Sequence, residues 1–480
     1  MSLKEQERYQ SPFSTRYAGE EMQRLFSQAH RARLWRRLWL ILAECERELG
    51  LNITDAQLAQ MREHLKDLDF DLIAGYERET RHDVMAHLKA YALAAPLAAP
   101  IIHLGATSCF VGDNADILVM RDAMALVRSG LYALALSLYD FADRYKALPV
   151  LGYTHFQPAQ PTTLGKRAAL WLQDVLCDLL EADRWITSLR PLGSKGTTGT
   201  QASFLALFSG DVEKAMQLDQ MVAERMGFDR PVPVSGQTYS RKTDSRALQV
   251  LSGVAQSAHK FANDIRLLQH LKEVEEPFEA GQVGSSAMPY KRNPMRCERV
   301  TGLARFLITN ALNADMTAAE QWLERTLDDS ANRRIAIAEG FLAADGILSL
   351  WRSIASGLVV YPKMIYRHLM EELPFMASEN ILMRAVLHGG DRQLLHERLR
   401  VHAQAAGDRV KRGGEKNDLL ERVAKDPAFH LDMEQLKQTL QPEHYTGCAQ
   451  RQTESYLRGE ARDILDRFSG LSILPAKADI

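Results

Sequence analysis

The sequence predicts an all-α protein, three helical domains arranged around a long central helix bundle. Three observations predict it. Long Ala- and Leu-rich stretches run without proline, alternating β-branched runs are almost absent, and glycine, proline and hydroxyl residues concentrate in a few segments between the stretches.

The N-terminal domain, 1–107, opens with a helix carrying Leu34, Trp35, Leu38, Trp39 and Leu42 on one face. Its basic run Arg31, Arg33, Arg36 and Arg37 reads as the solvated face. Shorter helices follow up to about Pro100. The central bundle, 108–360, holds five long helical patterns: Ala115 to Tyr145, Leu164 to Leu189, Ser245 to Leu271, Met295 to Ala319 and Ala331 to Ser356. Gly253, Gly302, Gly340 and Gly346 lie inside them, where a missing side chain permits close helix approach. Tyr361-Pro362 then punctuates the chain, and a more polar helical domain, 361–480, has breaks at Gly389-Gly390 and Gly413-Gly414.

The bulk properties exclude several classes. The 480 residues are 46% apolar and 25% charged, the balance of a globular chain large enough for several cores. A net charge of -2 supplies no field for nucleic acid or an anionic membrane, so neither is expected as a partner. The longest apolar stretch, Tyr91 to Ile102, is too short for a bilayer and is interrupted by Pro96 and Pro100. Met1 to Tyr9 is polar and has no signal-peptide pattern. Cys45, Cys109, Cys177, Cys297 and Cys448 are odd in number and dispersed, which fits reduced thiols in a soluble cytoplasmic protein.

Spacing sets further chemistries aside. The segment GSKGTTGT at Gly193 lacks the lysine–hydroxyl pair of a triphosphate loop, and no glycine fingerprint follows a strand. His82 and His87 are separated by roughly 140° around a helix, poor geometry for one metal. No metal or cofactor is expected. The donor-rich loop GQVGSSAMPYKRNP at Gly281 places backbone N–H groups, Ser285, Ser286, Lys291, Arg292 and Asn293 together. Such a loop can bind a carboxylate and stabilise charge growing on it, although a plain glycine–proline turn accounts for it equally well. Thr154-His155 sits in a proline-flanked loop, Pro149 to Thr163, where an imidazole can exchange protons near neutral pH or simply face solvent. Arg81-His82-Asp83 reads as a solvated helix end. In TLDDSANRR at Thr326, Asp329 or Ser330 can cap a helix with Arg334 in its first turn, a plausible phosphate site or only a cap.

Together these segments resemble the fumarase/aspartase superfamily, whose loop has the form G-S-S-x-x-P-x-K-x-N and stands here from Gly284 to Asn293. RHDVMAH at Arg81, HLGATSC at His103, THFQPAQ at Thr154, KGTTGTQASF at Lys195, SGQTYSRK at Ser235 and RTLDDSANRR at Arg325 are similar to the branch acting on succinylated purine nucleotides, of the type found in animals. The resemblance runs from about Ser11 to beyond Asn380. It implies an anti elimination of fumarate, with Ser285 as base, His155 as acid, Glu298 orienting His155, and Lys291 stabilising the alkoxide. It also implies Thr107, Ser108, Asn293 and Gln237 near the succinyl carboxylates, and Arg16, Tyr17, Arg325, Ser330 and Arg334 around the nucleotide. Arg81, His82, Asp83 and Arg299 join as further contacts, His82 beside the phosphate or leaving group. The rival readings are another fumarate-releasing member of the superfamily and a non-catalytic helical scaffold.

In an up-and-down bundle the loops at His155 and Ser285 fall at one end and the segments at Thr107 and Arg325 at the other, roughly 40 Å apart. A nucleotide spans far less. The superfamily's solution, a homotetramer whose sites are shared between subunits, is therefore expected.

Overall fold

The computed structural model describes residues 7–279 and 281–473. Helix α1, Gln28–Glu48, starts at Ser27, whose hydroxyl accepts the His30 N–H. Leu38, Trp39 and Leu42 are fully buried along its apolar stripe. The basic run is not wholly solvated: Arg36 is buried, lies 4.6 Å above the Tyr91 ring and donates to the His64 carbonyl. Its guanidinium exchanges water for a π face and a backbone acceptor. Helices α2, Phe70–Thr80, and α3, Asp83–Ala94, meet at Arg81, which closes α2 in the left-handed conformation.

The bundle consists of α4, Ser108–Arg144; α5, Leu164–Ser188; α6, Lys242–His270; α7, Met295–Ala319; and α8, Asp329–Gly357. The 37 residues of α4 run about 55 Å at 1.5 Å per residue. This helix begins before the expected Ala115 because its turn-forming residues have tertiary partners. The Asn114 amide bonds the Phe110 and Gly193 carbonyls, and Arg241 takes Asp113. Trp171, Phe261 and Trp351 tie α5, α6 and α8 together, with ring centroids 5.1 and 5.5 Å apart. A Cβ on Gly340 would come within 2.7 Å of Leu248, and one on Gly346 within 2.9 Å of Tyr17, so both glycines mark close approaches. Gly302 faces open space instead, and within one chain its expected close contact does not form.

The segment between α4 and α5 is a β-hairpin rather than the expected loop. Strand β1, Pro149–Thr154, pairs antiparallel with β2, Gln157–Thr163. A bulge follows Leu151, and at Gly152 a Cβ would lie 2.5 Å from the Gln160 carbonyl oxygen. The two-residue tip, His155 and Phe156, has positive φ at both positions (52° and 57°), the backbone of a type I′ turn.

Two further cores flank the bundle. The one beneath the N-terminal helices draws Phe110 and Leu118 from α4 and Phe204 and Leu218 from the connection between α5 and α6. The C-terminal one gathers Leu373, Ile381, Leu395 and Phe429 between α9, Pro362–Met376, and α10, Arg392–Gly413, and the segments after them. Among the described residues no helix is long and apolar enough to cross a membrane.

Candidate active site

A cavity of about 670 Å³ opens where the N-termini of α3, α4 and α8 converge. It brings together Arg81, His82, Asp83, Ser108, Arg325, Ser330 and Arg334 from the sequence-derived set. Thr107 precedes Ser108 as the N-cap of α4, and Gln237 accepts a hydrogen bond from Cys109, which lines the cavity. The Gln237 N–H donates to the Glu324 carbonyl, fixing that stretch of backbone beside Arg325. Three helix N-termini give this end a positive field before any side chain is counted.

Several of the acidic and basic groups here are paired. His82 caps α3, its Nδ1 accepting the Met85 N–H at 3.4 Å. Asp83 accepts the Val84 N–H and, at 2.7 Å, an Nη2–H of Arg334. Burial pushes the Asp83 carboxyl up, but the Val84 N–H and Arg334 outweigh it and hold the group below the usual carboxylate range. Behind the cavity, burial, with His82 nearby, lowers His103 to about 4, and Trp39 Nε1 donates to its Nδ1 at 2.8 Å. His103 is therefore a neutral acceptor at physiological pH. Asp329 does not act as a helix cap. It begins α8 with its carboxylate buried against Arg325 and Arg241, while Asp328 stands at the N-cap position, its carboxylate accepting the Thr326 hydroxyl rather than a helix N–H. Arg241, Asp113 and Arg333, absent from the sequence-derived set, also line this cavity; the charged content of SGQTYSRK and RTLDDSANRR was a signal for the two arginines, and no motif marked Asp113.

The remaining residues lie elsewhere. His155 is exposed at the hairpin tip, beyond the C-terminal end of α4. Ser285, Lys291 and Asn293 occupy the connection from α6 to α7, with Glu298 and Arg299 in the first turns of α7. Ser285 Oγ accepts the Met288 N–H at 3.1 Å and the Ala287 N–H at 3.3 Å. Asn293 Nδ2 donates to the Gly284 carbonyl at 2.7 Å and closes the loop. A Cβ at Gly284 would stand 2.2 Å from the Lys291 carbonyl oxygen, so only glycine fits. Among the described residues no hydrogen bond or ion pair joins His155 to Ser285, Lys291 or Glu298. This loop end and the cavity end are separated by the length of α6 and α7, about 40 Å.

Arg16 and Tyr17 form a third group. Their turn packs on α8 at Gly346, about 25 Å along that helix from Asp329. One chain thus carries the candidate groups at three levels: an anion-ready cavity, a midway arginine–tyrosine turn, and a donor-rich loop beside an exposed histidine.

A long-helix bundle of this connectivity, with a Gly-Ser-Ser loop at one end and an arginine-lined cavity at the other, defines a lyase of the fumarase/aspartase fold. A lyase family model matches residues 26–308, and a model described as the adenylosuccinate lyase C-terminus matches 374–456. The chain is 50% identical to adenylosuccinate lyase of Schizosaccharomyces pombe, over 98% of each chain, and 52% identical to that of Saccharomyces cerevisiae, over 96% of each. Among solved structures, 3-carboxy-cis,cis-muconate lactonizing enzyme from Pseudomonas putida shares the fold with a TM-score of 0.80 at 24% identity, covering 95% of this chain and 99% of that one. The chain belongs to the adenylosuccinate lyase family.

Proposed function

We propose that the protein catalyses the anti elimination of fumarate from adenylosuccinate, giving AMP, and from the succinylated imidazole carboxamide nucleotide, giving its free carboxamide. It does so without metal or cofactor, in cytoplasmic purine nucleotide synthesis. Ser285 removes the proton from the carbon beside a succinyl carboxylate, and His155, oriented by Glu298, protonates the departing nitrogen. Arg325, Arg334, Ser330, Arg16 and Tyr17 hold the nucleotide, with Arg81, His82 and Asp83 around its phosphate. Thr107, Ser108, Asn293 and Gln237 hold the succinyl carboxylates, and Arg299 adds an anion contact.

The observation that carries this reading is the pair of main-chain N–H groups already donating to Ser285 Oγ. A serine hydroxyl is a weak base in water. Donors fixed before the proton moves stabilise the alkoxide without reorganisation, each contributing about 3 kcal/mol, roughly a hundredfold in rate. The Lys291 ammonium adds charge in the same loop, and the same groups favour the doubly charged aci-carboxylate that forms as the C–H bond breaks.

The working unit is a homotetramer, its core the central segment 108–360. Supporting this, no single chain gathers the three levels of the site. In addition, α7 carries Phe306, Leu312 and Met316 exposed near Gly302 at helical spacing, an apolar face that a second bundle would cover. The direct test follows fumarate release by absorbance with purified Ser285→Ala and His155→Ala. Both retain nucleotide binding and lose turnover; near-normal turnover in Ser285→Ala removes it from the role of base.

A further inference from the structure

In the wall of the cavity lies a run of charges that the elimination itself does not use. Arg325 Nη1 bonds both oxygens of Asp329, at 3.0 and 3.1 Å, and the same carboxylate accepts Arg241 Nε at 2.6 Å. Arg241 in turn grips Asp113 through two N–H groups, at 2.9 and 3.2 Å. Asp329, Arg241 and Asp113 are all but inaccessible, at 1%, 2% and 4% exposed, whereas the Arg325 side chain keeps 23% of its surface open toward the cavity. Only Nη1 of Arg325 is engaged by protein among the described residues, which leaves Nε and Nη2 for a ligand.

A buried ion-pair run is a poor device for stability alone, because desolvation of each charge cancels most of the attraction. It is, however, a rigid one. Asp113 belongs to α4, Arg241 immediately precedes α6, and Asp329 starts α8, so three helices fix the position of one carboxylate. That carboxylate sits one helical turn from Arg325, which itself lies on an irregular segment with many rotamers open to it. We propose that Asp329, anchored by Arg241 and Asp113, is the positioning residue for Arg325: it holds the guanidinium with its free edge toward the phosphate of the nucleotide, so that rotamer entropy is not lost on binding. This inference rests on the reading of Arg325 as a phosphate ligand.

Kinetics of adenylosuccinate cleavage in Asp329→Asn, Arg325→Met and the double variant test both layers separately. Arg325→Met raises KM on its own; an unchanged KM there overturns the phosphate reading and not the geometry. Asp329→Asn raises KM about tenfold, the loss of one oriented charge-assisted hydrogen bond, while kcat moves far less. In the Arg325→Met background the Asn substitution adds nothing further to KM. An unmoved KM in Asp329→Asn, or effects that multiply in the double variant, overturns the positioning role. Should Asp329→Asn fail to fold, Arg241→Lys, which keeps the charge and loses the fork, must show the same KM rise and the same silence without Arg325. If neither variant folds, the run serves only the scaffold and the proposal falls.

Discussion

Glu46 offers the sharpest quantitative test of the fold. It lies on α1 in the N-terminal core, fully buried, and neither carboxylate oxygen has a hydrogen-bond partner. Burial pushes its carboxyl from 4.5 up to about 9, so the folded chain holds it as a neutral acid while the unfolded chain ionises it. Between those values the folded state binds one proton more than the unfolded state. Stability is therefore fully present below the unfolded pKa and falls as pH rises toward the folded one, by about 1.4 kcal/mol per pH unit. From about pH 6 to about pH 8 this residue alone removes about 3 kcal/mol. Glu46→Gln keeps the shape and abolishes the titration. Urea unfolding of parent and variant, at equal protein concentration and at both pH values, should show the stability difference moving about 3 kcal/mol in the variant's favour. Other titrating groups, His87 and His103 among them, cancel in that difference. A difference that is the same at both pH values would refute the buried neutral acid.

Gly284→Ala forces a Cβ into the Lys291 carbonyl and should pull Ser285 away from one of its two donors, lowering kcat by about a hundredfold with AMP binding intact; retained kcat argues that the loop geometry is dispensable. Mixed tetramers of His155→Ala and Ser285→Ala should recover activity that neither parent has, and verified hybrids without activity would count against shared sites. Burial raises the thiols of Cys45 and Cys297, so both should resist iodoacetamide in the native protein and react once urea opens the cores, as peptide mass spectrometry would show.

The bundle was legible because its helices keep an apolar face over many turns, a signal that survives local exceptions. The exceptions are informative. Gly112-Asp113-Asn114 lies before the expected start at Ala115, yet α4 passes through it because Arg241 and the Gly193 carbonyl, distant in sequence, satisfy the polar side chains. The hairpin at Pro149 was hidden by its own prolines and by the absence of alternation, and only backbone pairing reveals it. The basic run predicts a solvated Arg36, because burial of a guanidinium depends on the Tyr91 ring, which no local pattern announces. For the site, each motif was visible as a dense patch of donors and charges, and the separation of the two ends followed from helix lengths. The Arg241–Asp329 contact was not legible, since pairing between charged residues 88 positions apart leaves no trace in spacing.

The hairpin carries a consequence beyond the chemistry at its tip. A two-stranded ribbon whose outer half reaches solvent offers main-chain groups along the margins of that half, the usual template on which another chain adds a strand and fibres begin. Here β2 contains Pro158 and Pro161, which have no N–H to offer, and the bulge opposite Leu151 and Gly152 inserts Gln160 into that same strand and twists it. His155 is thus held far out on extended backbone that is itself unfit for recruiting strangers.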